Sequence, residues 1–518
     1  MPQLWWQKAV FYQIYPRSFA DSSGDGIGDL DGITSRLDYL AALGIGALWL
    51  SPINPSPLRD WGYDVSDYCG IHPDLGDLAS FDRLIAQAHR HGIRIILDLV
   101  PNHTSDQHPW FIESRSSRSN PKRDWYIWKP GAANRPPNNW LATFGGPAWK
   151  YDERTGAWFM HSFLEQQPEL NYRNPEVVDA MQNVLRFWLD RGADGFRIDV
   201  ISYLIKDAQF RDNPQRADLQ PGQFGSLLPL YSQDQPEVHD IIRGFRRVLD
   251  EYGDRMMVGE VWPREQRSLA DYVRAGELHQ AFNFRFLFCP WDANSFRDRI
   301  EEVENLFAAR WPTYTLSNHD FPRHISRYGK DGDAVARARV AAILLLTLRG
   351  TPFLYMGEEI GMPDVEVPAS KRRDPIGRDG CRTPMQWSDA PNGGFTAAAE
   401  PWLPCGDYKN INVAKQTGDP GSLLEFYREM ISLRQRTSAL LEGGYRTISN
   451  AAENCLAFLR ETAEQKVLVA LNFSADSRRI DVPAATPIFS SHPGRPSDRI
   501  SGAIELQPNE AVILQLQS

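Results

Sequence analysis

The chain has little cysteine, no long apolar run and no excess of positive charge, and each shortage narrows what it can be. Its 5 cysteines (Cys69, Cys289, Cys381, Cys405 and Cys455) are odd in number and scattered, with no C-x-x-C pair. That pattern fits reduced thiols in a cytoplasm better than a disulfide framework or a zinc site. The longest apolar run, "VAAILLLTL" at 340–348, ends at Arg349 and is too short to span a bilayer, so it predicts a buried helix. The opening residues "MPQLWWQKAV" hold no apolar core of signal-peptide length, and a cytoplasmic location is expected. A formal net charge of −10 argues against nucleic-acid partners and against a polybasic membrane patch. There is no repeat of solenoid period and no low-complexity tract.

What the chain does have is a long alternation of β-type runs and amphipathic helical segments. The runs are "FYQIYPRSF" (11–19), "ALWLSP" (47–52), "IRIILDLVPNH" (93–103), "GFRIDVIS" (195–202), "MMVGEVW" (256–262), "AFNFRFLF" (281–288), "TYTLSNHD" (313–320) and "TPFLYMGEE" (351–359). Between them lie segments such as "SFDRLIAQAHRHG" (80–92) and "PEVVDAMQNVLRFWLDRG" (175–192), with apolar residues at helical spacing and a terminal glycine where a helix cap belongs. Eight β-α units predict a closed (β/α)8 TIM barrel over 1–103 and 172–438. Residues 104–171 are rich in Pro, Asn and Trp, and a structureless loop of that length is improbable, so a small domain inserted after strand three is expected. The tail, 439–518, reads as short alternating strands without helices, which predicts a C-terminal antiparallel β domain, a sandwich.

In such a barrel the reactive side chains stand at the C-terminal ends of strands and in the loops beyond. Strand three ends in Asp98, Asn102 and His103; strand four carries Arg197 and Asp199, two apart and hence on one face. Strand five delivers Glu260, strand seven His319 and Asp320, and Asp60 and Tyr63 follow strand two. Carboxylates converging from three strands are costly to bury together unless they are used, and two carboxyls flanking a glycosidic bond are the minimum for glycoside hydrolysis. One must be ionised and the other protonated. Arg197 is expected to keep Asp199 ionised, leaving Glu260 as the acid. His103 and His319 lack metal-ligand spacing and are read as hydrogen-bonding to sugar hydroxyls.

At these residues the chain resembles the α-amylase superfamily, glycoside hydrolase family 13, in its oligo-1,6-glucosidase and α-glucosidase branch. The motifs that carry the resemblance are "DLVPNH" (98–103), "QPELN" (167–171), "GFRIDV" (195–200), "GEVW" (259–262) and "SNHD" (317–320), with "GYDVSDY" (62–68), "GTPFLYMGEEIGM" (350–362) and "RTPMQW" (382–387) beside them. In "QPELN" a middle Asp is more usual in this branch than Glu169. The resemblance implies Asp199 as nucleophile of a retaining mechanism, Glu260 as acid and base, and Asp320 as transition-state stabiliser, with the two reacting carboxyls roughly 5 Å apart. It places Arg197, His103 and His319 around a terminal glucose, Tyr63 as its stacking platform, and Phe144, Phe163, Gln167 and Val200 among the substrate-binding residues. Asp60 and an arginine of "GRDGCRTPMQW" would close the pocket, Arg382 being favoured over Arg378. A closed pocket implies exo action on short oligosaccharides of isomaltose or maltose type, with transglucosylation as a side of the same chemistry.

The resemblance also implies a structural Ca2+ in "DSSGDGIGDL" (21–30). Asp21, Ser23, Asp25, the Ile27 carbonyl and Asp29 follow the odd-position spacing of an EF-hand loop, with Gly26 at the turn position, although Gly32 stands where the bidentate Glu belongs. A solvated, capped turn is the competing reading. No organic cofactor is expected. Val200, directly after the nucleophile, tends in this branch to accompany α-1,6 activity. Trehalose-6-phosphate hydrolases and sucrose-active transglucosidases of the same branch are the alternatives; a phosphate would want acceptor-side cations, and after "SNHD" the chain reads "FPRHISRYG" without an "RLDRD"-like isomerase motif. A non-catalytic transporter subunit is disfavoured, because the carboxylate set is complete.

Overall fold

The computed structural model describes residues 4–220, 225–329, 332–448 and 452–517. In chain order its strands are β1 (Phe11–Ile14), β2 (Ala47–Leu50), β3 (Arg94–Leu99), β4 (Trp128–Pro130), β5 (Trp149–Asp152), β6 (Ala157–Met160), β7 (Gly195–Ile198), β8 (Met256–Gly259), β9 (Gln280–Ala281), β10 (Thr313–Thr315), β11 (Thr351–Tyr355), β12 (Gly444–Thr447), β13 (Cys455–Glu461), β14 (Lys466–Asn472), β15 (Arg478–Ser490), β16 (Ile500–Leu506) and β17 (Ala511–Leu516).

Eight of them form one parallel sheet in the order β10-β11-β1-β2-β3-β7-β8-β9. The sheet wraps into a nearly closed barrel, and across the remaining seam the Thr313 hydroxyl donates to the Ala281 carbonyl at 3.0 Å. Helices pack outside it for the reason the periodicity gives. Leu78–Arg90 buries Phe81, Leu84, Ile85 and Ala88 on one face and is capped by Asp77, whose side chain accepts from Ser80 N. Pro175–Asp190 starts with proline at its first turn after an Asn174 cap. Gly92 and Gly192 take positive φ just past these helices, the conformation that ends a helix most easily. The apolar run at 340–348 lies mostly in the buried helix Ala334–Thr347, and among the described residues no helix is long and apolar enough to cross a membrane. Inside the barrel Phe11, Trp49, Ile96, Val258, Phe282 and Phe353 belong to one buried cluster.

One expected strand shrinks. "AFNFRFLF" is strand only at β9, after which Phe284–Phe288 turns into a 3-10 helix. Its aromatics recur every second residue like a strand's, yet Phe284, Phe286 and Leu287 are all buried around a short turn.

Between β3 and β7 the chain forms a helix, Pro109–Ser116, and a three-stranded antiparallel sheet ordered β4-β6-β5. The tail is antiparallel as expected, but it is one continuous six-stranded ladder, β12-β13-β14-β17-β15-β16, rather than the two sheets of a sandwich. The 13-residue β15 pairs with both β17 and β16, with register shifts along each pairing. The ladder therefore bends without breaking. One face joins the main core through Leu456, Phe458, Val467 and Val469; the other builds its own from Ala457, Leu468, Ile480 and Val512. Buried Arg434 and Arg460 tie the parts together, donating to the Leu346 and Thr347 carbonyls where the helix Ala334–Thr347 ends.

Candidate active site

The catalytic candidates leave the barrel where the parallel ladder ends. Asp199 follows β7 and Glu260 follows β8, and each is still pinned by its backbone. Asp199 N donates to the Leu99 carbonyl of β3 at 2.8 Å, and Glu260 N donates to the Ile198 carbonyl of β7 at 2.8 Å. Asp98 and Arg197 are register partners on β3 and β7, so the guanidinium lies between neighbouring strand ends. Arg197 Nη1 donates to Asp98 at 2.8 Å and to Asp199 at 2.7 Å, while Nη2 donates to Glu260. Trp262, two residues beyond Glu260, donates its indole N–H to the other Glu260 oxygen at 2.7 Å. Immediately after Asp199 the chain turns in the left-handed region at Val200 (φ 34°), a costly conformation for a β-branched residue.

Three carboxylates thus share one cation. Sequence reasoning has Arg197 holding Asp199 in its ionised form; in the structure burial outweighs that. Desolvation, with the negative charges of Glu260 and Asp98, pushes the Asp199 carboxyl well above the ordinary carboxylate value, Arg197 opposing. Burial likewise pushes Asp98 up to about 6. Two carboxyls of the cluster are thus held above the usual carboxylate range by burial and by one another's charge, the kind of setting in which neighbouring carboxyls take divided roles.

Asp320, in the loop after β10, has the opposite setting. It accepts from Arg378 Nη1 at 3.1 Å and Arg382 Nη2 at 3.0 Å, and its other oxygen faces His319 Nε2 at 3.3 Å. Although burial opposes it, these neighbours hold its carboxyl far below the usual range. Burial pushes His319 itself down to about 3, so the imidazole is neutral at pH 7 and the charge comes from the arginines. With Gln13 Nε2 donating to Nδ1 (2.7 Å), the His319 Nε2–H is left to the Tyr63 oxygen (2.6 Å) and Asp320. Tyr63 donates to Asp98 at 3.0 Å and stacks on the His319 ring, 5.4 Å between centroids.

These groups border a cavity of about 1280 Å³. Asp60, Tyr63, His103, Phe144, Phe163, Asp199, Val200, Glu260 and Asp320 all line it. Arg197, Gln167, His319 and Arg382 lie behind its wall, fully or almost fully buried. Gln167 donates to Asp60 at 2.9 Å, and buried His103, its pKa lowered to about 4, contacts the Tyr63 carbonyl and Gln167. The choice of arginine has to be corrected: Arg378, not Arg382, faces the cavity. Its guanidinium spans Asp60 (2.6 Å) and Asp320 (3.1 Å) and is anchored by Asp374 (2.6 Å). Arg382 is spent from behind, on the His319 carbonyl and Asp320. A family model described as the alpha amylase catalytic domain matches residues 13–443. The chain belongs to the alpha-amylase family.

Its relatives place it in the oligo-1,6-glucosidase and α-glucosidase branch. It is 43% identical to a probable alpha-glucosidase of Rhizobium meliloti (strain 1021), over 92% of this chain and 91% of that protein. It is 40% identical to an oligo-1,6-glucosidase of Parageobacillus thermoglucosidasius, over the same shares. Among solved structures it matches the alpha-glucosyl transfer enzyme XgtA with a TM-score of 0.94 and 40% identity, over 100% of both chains. It matches the trehalulose synthase MutB of Pseudomonas mesoacidophila MX-45 with a TM-score of 0.93 and 35% identity, also over 100% of both. This alpha-amylase-family chain is a retaining glycosidase or transglycosidase acting on short α-glucosides.

Two further features bear on the family's site. Glu169 of "QPELN" accepts from the ammonium of Lys206, which is buried, and from Ser162 Oγ at 2.7 Å. This ion pair joins the segment before β7 to the loop after it, and sequence reasoning missed Lys206 because nothing in its spacing marks it. In the loop 21–30 the carboxylates turn to backbone donors. Asp21 accepts from Gly24 N (2.7 Å) and Gly26 N (2.8 Å), Asp25 from Ile27 N (2.8 Å) and Asp29 from Gly32 N (2.6 Å). Ser23 donates to Asp21 at 3.1 Å through its hydroxyl. Among the described residues no three His, Cys, Asp or Glu side chains are gathered as metal ligands. The oxygen donors are of the hard type that calcium prefers, but both oxygens of Asp21 and of Asp29 each already accept at least two donors, so these two carboxylates would have to exchange protein donors for a cation.

Proposed function

We propose that this protein takes the terminal α-glucosyl unit of a short α-glucoside onto Asp199 and passes it to water or to an acceptor hydroxyl. The observation that carries the reading is the guanidinium of Arg378 spanning Asp60 and Asp320 on the same cavity wall as the Asp199–Glu260 pair. A sugar held between those two ends fits a terminal glucose and not a mid-chain one, hence exo action. Asp199 attacks C1 while Glu260 gives its proton to the departing oxygen; Glu260 then takes a proton from the incoming hydroxyl as the glucosyl–Asp199 bond breaks. Asp320, kept ionised by Arg378 and Arg382, is suited to grip sugar hydroxyls as positive charge develops at C1.

Isomaltose is the proposed donor, on Val200, with maltose next. Transfer to a sugar acceptor, sucrose included as donor, is the second reading, favoured by the structural match to a glucosyl transfer enzyme and to trehalulose synthase. A phosphorylated substrate finds less support. The rim cations Arg216, Arg264 and Arg267 are each already paired, with Asp218, Asp234 and Glu265. The deciding assay is product analysis from maltose, isomaltose and sucrose at matched concentration, with Asp199→Asn as control. Glucose release or transfer that survives Asp199→Asn unchanged would overturn the assignment. Asp21, Ser23, Asp25, Asp29 and the Ile27 carbonyl are proposed to hold a structural Ca2+, supported by their spacing and donor type. Purified protein without bound metal, and with a melting temperature unmoved by chelator, would remove that proposal.

A further inference from the structure

Gln13 is a polar exception inside the barrel. On β1 it follows Phe11 by two residues, so both point to the same face, and Phe11 lies in the apolar interior cluster with Trp49, Phe282 and Phe353. A glutamine buried there, 1% exposed, is costly unless its amide is used. Its Nε2 lies 2.7 Å from His319 Nδ1 and 3.1 Å from Ser51 Oγ, whereas Oε1 has no hydrogen-bond partner among the described residues. Turning the amide over would strand two N–H groups in place of one carbonyl oxygen, and buried donors go unpaired more rarely than buried carbonyls. Nε2 therefore donates to Nδ1, and His319 carries its proton on Nε2. The far end of the same chain of contacts demands the same tautomer. Asp98 receives only donors: Arg197 Nη1 on one oxygen at 2.8 Å, and on the other the Trp49 indole at 3.2 Å and the Tyr63 hydroxyl at 3.0 Å. With its hydrogen given to Asp98, the Tyr63 oxygen, 2.6 Å from His319 Nε2, must accept.

We propose that Gln13 is a positioning residue for glucosyl transfer: its amide locks His319 as the Nε2–H tautomer and so fixes the direction of one hydrogen-bond chain, Gln13 to His319 to Tyr63 to Asp98. The proposal rests on the glucosyl-enzyme reading given above. Reversed, the chain would turn the His319 Nε2 lone pair towards Asp320, 3.3 Å away, and a lone pair facing a carboxylate is repelled by it. Reversal would also take the Tyr63 donor from Asp98, whose other oxygen holds the Arg197 guanidinium between Asp199 and Glu260. One amide on β1 thus bears on both the charge-stabilising carboxylate and the cation between the reacting pair. No group in the chain gains or loses a proton during the reaction; only orientation is set.

Nitrogen-15 NMR of histidine-labelled protein at pH 7 reads the lock directly, His319 being assigned by the signals lost in His319→Gln. The expected pattern is a protonated Nε2 and a bare Nδ1. A proton on Nδ1 would overturn the proposal, and this measurement needs no variant at Gln13. Kinetics then separate a lock from a core residue. Gln13→Met keeps the length of the side chain without its donors and should lower kcat/KM for α-glucosyl fluoride about tenfold, the scale of one buried hydrogen bond. In a Tyr63→Phe background, where the chain is already cut, the same change should cost about threefold or less. An equal factor in both backgrounds, as loss of core packing gives, or no loss in either, would overturn this proposal and leave the glucosyl-enzyme reading in place. Release of no fluoride by the unmodified protein would overturn that reading and this one with it.

Discussion

Replacing Arg378 by alanine separates a glucose-binding arginine from a merely structural one. The guanidinium has three carboxylate partners, but they do not lose equally. Asp320 and Asp374 keep Arg382, at 3.0 and 3.6 Å. Asp60 is buried and keeps the Gln167 amide as a donor, with the charge of Arg382 acting on it without a hydrogen bond. Burial already pushes its carboxyl up, against the pull of Arg378. Without that cation Asp60 either stays charged and unpaired, at about 3 kcal/mol or more, or takes a proton and stops accepting a sugar hydroxyl as a carboxylate. Three kcal/mol in transition-state binding is about a hundredfold in kcat/KM.

Because the lost contact is to the glucosyl half, kcat/KM should fall by the same factor for maltose, isomaltose and α-glucosyl fluoride. Arg378→Lys restores the charge without the fork that spans Asp60 and Asp320, and should recover only part of the loss. Arg382→Ala leaves Asp60 paired; its cost falls on Asp320 and, through the lost bond to the His319 carbonyl, on melting temperature. Activity of Arg378→Ala within a few-fold of the unmodified enzyme, or losses that depend on the aglycone, would refute the reasoning.

Lys206→Met leaves Glu169 buried without its cation and should cost about 3–5 kcal/mol of stability, read as a lower melting temperature. Adding Glu169→Leu should recover most of it. The acid limb of kcat/KM should lie above the ordinary carboxylate range, because Asp98 and Asp199 hold protons to higher pH than free carboxyls do. Asp98→Asn removes one negative neighbour and should move that limb down by about one pH unit; an unmoved or raised limb would contradict the charge coupling between Asp98 and Asp199. The same raised Asp98 makes a stabilising contribution that is complete below its unfolded value near 4 and lost as pH rises through about 6, so urea titrations across that window should show the loss shrink in Asp98→Asn. Val200→Ala should shift preference from isomaltose towards maltose by roughly tenfold, and an unchanged ratio would move linkage choice to the acceptor loops.

The barrel was legible because periodicity is a local signal: eight apolar runs, each followed by an amphipathic segment, point to one architecture whatever the loops do. The strand-end residues were legible for the same reason. Asp199 and Glu260 lie one residue beyond β7 and β8, so counting along the chain is enough to find them. The failures come where placement depends on long-range partners. "AFNFRFLF" alternates like a strand but is claimed by the barrel core as a turn. The tail's single sheet depends on how β15 divides its length between two partners.

Arg378 and Arg382 show the limit most sharply. They stand four residues apart on one loop, and both reach the same Asp320 oxygen, so neither motif nor spacing can rank them. What separates them is the Asp374 carboxylate. It accepts from the Arg378 side chain through Nε and Nη2, and its other bonds cap the turn that includes Arg378 N at 2.7 Å. That anchor holds the guanidinium across from Asp60, a residue 318 positions away in sequence. The closed end of the pocket is therefore fixed by where one loop folds back on itself, a property of the turn and not of the residue types that the sequence displays. The same holds for the exposed apolar residues of the cavity: Leu141, Leu228, Leu230, Phe288 and Ile376 share no periodicity, and only the convergence of four loops brings them to one opening. Specificity in this fold accordingly resides in what the strand ends do not determine, and substitutions in those loops should change which acceptor wins while leaving the Asp199–Arg197–Glu260 geometry at the strand ends as it is.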